Sequence, residues 1–115
     1  MNQINELTVI ISQNTMGNGD EELGKILIKS FIYSLTELPV PPRYVIFLNA
    51  GAYLTSNLSN TIEDLKKLED NGTSILTCGT CLNYYGLEEK IAVGDVTNMY
   101  HIAEIMTKAD KLMNI

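Results

Sequence analysis

Cys78 and Cys81, the two cysteines of this 115-residue chain, are separated by Gly79 and Thr80. They follow the apolar run Thr73-Ser74-Ile75-Leu76, which reads as a strand, and precede Leu82-Asn83-Tyr84-Tyr85-Gly86, which reads as a short helix. A cysteine between a strand end and a helix start is a common place for a reactive thiolate. Its sulfur can face free backbone N–H groups and the positive end of the helix dipole, and both lower a thiol pKa. The N–H groups from Gly79 through Thr80 to Cys81 are the donors such a charge would use. Cys81 lies one turn further on, close enough to attack a sulfur held by Cys78 and close a disulfide. The plainer reading is two small buried residues packed at a tight junction. The intervening Gly-Thr is unlike the aromatic-Gly-Pro type of sequence found in thioredoxin-like pairs.

Metal binding is a further reading of the pair. A structural zinc needs four ligands, usually two such pairs or one pair with two histidines. This chain has one pair and one histidine, His101. A site within the chain is therefore incomplete, while a metal shared between subunits stays open. His101 lies beside the apolar stripe of the last helix and fits a solvated helix residue better than a catalytic base.

Other residues fall near the same place. Asn14 and Asn49 sit in loops of the same sheet edge, with Asn57 nearby, and the first two could line a cysteine pocket as hydrogen-bond donors. The commoner use of such residues is to close Asx turns. Tyr84 and Tyr85 are adjacent, so on a helix they point about 100° apart. One can cover the cysteines while the other joins the core or an interface. The loop Met16-Gly17-Asn18-Gly19 suggests a phosphate cradle, but its pattern is wrong. Glu22 stands where a dinucleotide fingerprint needs its third glycine, no Gly-Lys-Ser/Thr follows, and Asp20, Glu21 and Glu22 put negative charge where a phosphate would sit.

The elements that must position these residues can be read in order. Leu7-Thr8-Val9-Ile10-Ile11-Ser12 is β-branched and nearly all apolar, as in a strand covered on both faces. Asp20 is a suitable N-cap for a helix carrying Leu23, Leu27, Phe31 and Leu35, widened by Ile26, Ile28 and Ile32, and ending before Pro39. So wide an apolar surface suggests contacts beyond the sheet, such as another subunit. Tyr44-Val45-Ile46-Phe47-Leu48 is a second strand, broken by Asn49-Ala50-Gly51-Ala52. Ser59 or Asn60 is expected to cap a helix with Leu58, Ile62, Leu65 and Leu68 on one face, stopped by Asn71-Gly72. The third strand leads into Cys78. Lys90-Ile91-Ala92-Val93 is expected as a fourth strand ended by Gly94. Asp95 or Thr97 is expected to cap a last helix with Met99, Ile102, Ala103 and Met106 aligned, and Lys111 to Ile115 as a fifth strand. Strands alternating with helices predict an α/β fold, a parallel sheet with helices on both faces, in one domain over 1–115. In such sheets sites form beyond the carboxyl ends of the strands. That places the loops 13–19, 49–52, 78–83 and 94–97 together.

Bulk properties narrow the function classes. A formal net charge of −6, with few and unclustered Lys and Arg, disfavours nucleic acid and anionic membrane surfaces. No apolar run approaches the roughly 18–20 residues of a membrane span. The start Met1-Asn2-Gln3-Ile4-Asn5-Glu6 lacks the basic and apolar regions of a signal peptide, so a cytoplasmic protein is expected. In that compartment a Cys-x-x-Cys is catalytic, redox-active or metal-binding more often than a structural disulfide.

Four ordered motifs give the chain a resemblance. They are Met16-Gly17-Asn18-Gly19-Asp20-Glu21-Glu22-Leu23-Gly24-Lys25, Phe47-Leu48-Asn49-Ala50-Gly51, Cys78-Gly79-Thr80-Cys81-Leu82, and Val93-Gly94-Asp95-Val96-Thr97-Asn98-Met99-Tyr100. Over nearly its whole length the chain resembles the DsrE-like sulfur-relay proteins, most closely the C-terminal domain of the YedF-type group associated with selenium metabolism. The wider family shows a cysteine after the third strand with a glycine eight residues on, matched by Cys78 and Gly86. The resemblance implies a three-layer α/β/α domain with a five-stranded parallel sheet in the order 4-3-2-1-5, and symmetric homo-oligomers. It implies that Cys78 accepts a persulfide as a sulfur or selenium carrier, with Cys81 as a possible resolving thiol. The implied partners are donor and acceptor proteins such as a TusA-like domain, and no organic cofactor is implied. Two departures stand out. Cys81 replaces the small residue common in the relay proteins, and Tyr85 stands where a basic residue often precedes the glycine. The alternative is a non-enzymatic interaction module that oligomerises and uses the cysteines for shape or redox sensing.

Overall fold

A computed structural model of the chain describes residues 7–115. Five strands, β1 (Leu7–Ile11), β2 (Tyr44–Phe47), β3 (Ser74–Cys78), β4 (Asp95–Thr97) and β5 (Lys111–Asn114), form one sheet in the order β4-β3-β2-β1-β5. Every strand pair is parallel. This is the α/β fold and the strand order that the resemblance implied.

The strands alternate their side chains between two faces, and each face has its own core. Val9, Ile11, Val45, Phe47 and Ile75 pack on one side with Ile28, Ile32 and Leu35 of α1 (Glu21–Thr36) and with Leu65 and Leu68 of α2 (Ile62–Asp70). On the other side Ile10, Ile46, Leu76 and Cys78 pack under Ile102 and Ile105 of α4 (Met99–Lys108). The short helix α3 (Gly79–Tyr84) sits at the carboxyl end, where Leu82 and Leu87 bury against Ala52. The result is three layers with both faces of the central strands covered.

Helix α1 starts as expected, with the Asp20 carboxylate accepting from the Leu23 N–H at 2.9 Å. Its buried stripe is Gly24, Ile28, Ile32 and Leu35. Leu23, Ile26 and Leu27 stay exposed, so the apolar surface is indeed wider than the sheet uses. Helix α2 differs from expectation. Its N-cap is Thr61, not Ser59 or Asn60, and Leu58 is exposed rather than on the packed face. Ser59 instead accepts from the Thr61 N–H, and the Thr61 hydroxyl donates to the Leu54 carbonyl at 2.8 Å.

The fourth strand also needs correction. Lys90 to Val93 do not form it: Ile91 makes an isolated antiparallel bridge with Ser56, and the Ala92 N–H donates to the Thr55 carbonyl at 2.8 Å. Val93 drops into the core. The sheet strand is the largely exposed segment Asp95–Thr97, so 95–97 is strand and not loop. Helix α4 is capped by Asn98, whose side chain accepts from the His101 N–H at 2.9 Å, not by Asp95 or Thr97. Its packed face is Ile102 and Ile105, while Met99 and Ala103 are exposed. The fifth strand forms where expected, as an exposed edge.

Candidate functional site

The site begins with strand parity. Within β3, Ile75 and Thr77 point toward α1 and α2, while Leu76 and Cys78 point toward α4. Cys78 is therefore the last inward residue of its strand and lies under α4, only 2 % exposed. Its backbone is in the N-cap position of α3, at φ −67° and ψ 124°, but its sulfur makes no capping hydrogen bond. The expectation that Cys78 presents an open sulfur to free first-turn N–H groups is not met. Gly79 contributes space instead: a Cβ there would stand 3.1 Å from Val96 Cγ1, so its absence lets α3 start close against β4.

Helix α3 ends by a defined device. Gly86 adopts φ +68°, the left-handed conformation that glycine takes without strain. The Leu87 N–H then donates to the Leu82 carbonyl at 2.8 Å and the Gly86 N–H to the Asn83 carbonyl at 3.2 Å, a Schellman ending. This gives a physical reason for a glycine eight residues after the strand-end cysteine. It also turns Leu87 back into the packed cluster with Leu82.

Cys81 lies one turn into α3 and is half-buried. Its Sγ accepts the backbone N–H of Asn49 at 3.1 Å. Asn49 opens the 3-10 helix Asn49–Thr55 that follows β2, and at φ +50° it is the only non-glycine residue with positive φ among the described residues. Asparagine tolerates that conformation better than most residues. Below it, the buried hydroxyls of Thr55 and Thr77 meet at 2.8 Å and tie the 3-10 helix to β3. Burial pushes the Cys81 thiol above the usual range, the Asn49 N–H draws it back, and the neighbouring Cys78 pushes it up again. At rest the site holds a thiol, since desolvation outweighs the single donor.

A cavity of about 550 Å³ opens on Cys81, lined by Leu48, Asn49, Thr80, Tyr84, Tyr85 and Met99. The structure thus brings Asn49, Thr80 and Cys81 together at one opening, with Cys78 behind them. Asn14 lies elsewhere, in a cavity with Lys25, Tyr53, Leu58 and Asn60. His101 is exposed, shares a 2.8 Å hydrogen bond with Thr97 Oγ1, and lines a third cavity with Arg43 and Lys108. Asn57 donates its backbone N–H to the Lys90 carbonyl at 2.8 Å. Among the described residues no three His, Cys, Asp or Glu side chains gather as a metal site. Leu48 and Met99 are lining residues that sequence reasoning did not select. The spacing of Cys81 and Tyr85, four apart on a helix, was the available signal for Tyr85.

Fold and site together define a parallel three-layer α/β domain with a two-thiol centre at the carboxyl edge of its sheet. The chain belongs to the DsrE/DsrF-like family, whose model matches residues 43–115, from just before β2 to the last residue. No curated protein matches the sequence. Solved structures share the fold. The ychN protein from E. coli superposes with a TM-score of 0.71 at 15% identity, covering 94% of this chain and 97% of that one. MTH1491 from Methanobacterium thermoautotrophicum, described as of unknown function, gives 0.69 at 18% identity, covering 95% and 97%. BT1422 from Bacteroides thetaiotaomicron, described likewise, gives 0.67 at 14%, covering 96% and 95%. Over the described residues, no helix is long and apolar enough to cross a membrane.

Proposed function

We propose that this domain carries sulfur, or selenium in the manner of the YedF-type group, on the Cys78–Cys81 pair. A donor protein such as a TusA-like domain supplies it and an acceptor thiol receives it. The observation that carries this reading is the arrangement of two free thiols, one open to a surface cavity and one sealed directly behind it. Family membership and the strand-end position of Cys78 support it.

The burial of Cys78 divides the roles. The Cys81 thiolate attacks the outer sulfur of the donor persulfide; the donor S–S bond breaks and its electron pair leaves on the donor thiolate. Cys81 then holds the outer sulfur as a persulfide. Attack by the Cys78 thiolate on that outer sulfur moves it inward and frees Cys81. Attack on the inner sulfur expels sulfide and leaves a Cys78–Cys81 disulfide. This order differs from the one the resemblance implies, in which Cys78 accepts the persulfide directly: here Cys81 receives the sulfur and the buried Cys78 is reached through it. The chemistry is covalent and asks for no organic cofactor. It requires reduced thiols, and so a reducing compartment such as the cytoplasm.

A second reading is an oligomeric interaction or redox-sensing module. It is favoured by the exposed apolar face of α1, with Leu23, Ile26, Leu27 and Tyr33 available to a second copy, and by the raised pKa of the resting Cys81 thiol. Incubation with a protein persulfide donor separates the two. The carrier gains one sulfur atom by intact-mass spectrometry, and the Cys78→Ser/Cys81→Ser double variant gains none. No gain on the wild type leaves the second reading standing.

A further inference from the structure

Two side chains of α3 and its C-cap converge on one residue of the 3-10 segment. Cys81 and Tyr85 lie four apart on the same side of α3, and both reach Asn49. The Asn49 backbone N–H donates to Cys81 Sγ at 3.1 Å. The Tyr85 hydroxyl donates to the Asn49 side-chain oxygen Oδ1 at 2.6 Å. Asn49 holds its N–H in this direction from a left-handed backbone at φ +50°, a conformation that asparagine tolerates better than most residues but that still costs more than ordinary backbone. The Tyr85 ring is itself fixed, tilted 49° against Tyr53 with centroids 4.9 Å apart and meeting Tyr84 edge-on at 5.3 Å.

We infer that Tyr85 is a positioning residue for the Cys81 sulfur: its hydroxyl holds the Asn49 side chain, so that the strained Asn49 backbone aims its N–H at Cys81. The inference rests on the reading of Cys81 as the receiving thiol, and it deepens that reading by naming what stabilises the attacking thiolate. The surroundings leave little else to do so. Among the described residues, the cavity lining contains no Lys, Arg, His, Asp or Glu, and the titratable groups facing Cys81 are Cys78, Tyr84 and Tyr85. Cys78 disfavours the charge, and a tyrosine side chain supplies no positive field. Among the described residues, the one donor aimed at the sulfur is a backbone amide. A hydrogen bond to a charged acceptor is strong only if its geometry is held.

The pH profile of Cys81 alkylation by iodoacetamide, in a Cys78→Ser background, tests this without any sulfur donor. Tyr85→Phe keeps the ring and its aromatic contacts and removes only the hydroxyl. The expected result is an apparent pKa higher by up to about one unit, read as a roughly tenfold slower reaction at neutral pH. The plateau rate at high pH and the melting temperature stay unchanged. Asn49→Gly keeps the amide and the positive φ but deletes the partner of Tyr85. It should shift the profile in the same direction, and adding Tyr85→Phe to it should shift it no further. A Tyr85→Phe profile that overlays its parent, or a full additional shift in the double variant, overturns the inference. Neither result depends on persulfide loading, so a failure here is distinct from a failure of the carrier reading.

Discussion

Cys78 and Cys81 are three residues apart and occupy different environments. Cys78 ends a strand, and the alternation of that strand turns its sulfur into the apolar layer beneath α4 with Leu76 and Ile102. Cys81 rides on a six-residue helix, and its sulfur meets a backbone amide and an open cavity. The difference shows how a Cys-x-x-Cys spacing that looks symmetric in sequence becomes an ordered pair in space. The strand decides which thiol is sealed, and the helix decides which is presented.

Selective alkylation should expose this contrast most strongly. In the folded protein Cys81 reacts first, and Cys78 is slower by about 100-fold, as expected if its reaction waits on a local opening of roughly 3 kcal/mol. Equal rates would dissolve the distinction. Next in size is the support under the pair. Thr77→Val leaves the buried Thr55 hydroxyl with only its 3.2 Å contact to the Ala52 carbonyl. It should cost about 1–2 kcal/mol in urea unfolding, and Thr55→Val/Thr77→Val together should cost less than the sum of the singles. A smaller loss, about 1 kcal/mol, is expected for Gly86→Ala, which forces a side chain into the left-handed ending of α3. If Gly86→Ala also exposes Cys78 to alkylation, the helix ending and not only strand parity keeps that sulfur covered.

The smallest effect concerns pH. The folded state raises the Cys81 pKa, chiefly by desolvation. The unfolded chain therefore releases the Cys81 proton at lower pH than the folded one. Its contribution to stability is complete below the ordinary thiol range and declines as pH rises through that range toward the folded value. Urea midpoints measured from pH 7 to 10 should fall slightly less steeply in Cys81→Ser than in the wild type. Identical slopes would mean that the thiol is not desolvated in solution.

Much of this architecture is legible in the sequence. The strands β1, β2 and β3 are largely apolar runs without strict alternation because both faces of a central parallel strand are buried. The Asp20 cap and the Asn71-Gly72 stop are likewise visible. Strand β4 is not, because Asp95-Val96-Thr97 is an edge whose pairing is made by backbone on one side and whose side chains meet little of the core. The run Ile91-Ala92-Val93 carries the stronger strand pattern but is spent pinning the 3-10 segment. Cys78 and Cys81 were legible as a pair, since strand end and helix start bracket them. Their inequality follows from counting alternate residues from Leu76, a step that helix-dipole reasoning passes over. The Asn49 contact was legible only as a residue type near the right edge. The donor is its backbone N–H, and its direction depends on a left-handed φ and a tyrosine 36 positions away.

The ordered pair is tested most directly by loading single-cysteine variants from a protein persulfide donor and reading the added sulfur by mass spectrometry. The account predicts that Cys78→Ser still takes up one sulfur atom, on Cys81, at close to the wild-type rate, and that Cys81→Ser takes up sulfur far more slowly. Cys81→Ser loading on Cys78 as fast as the wild type would contradict it and return the receiving role to the strand-end cysteine.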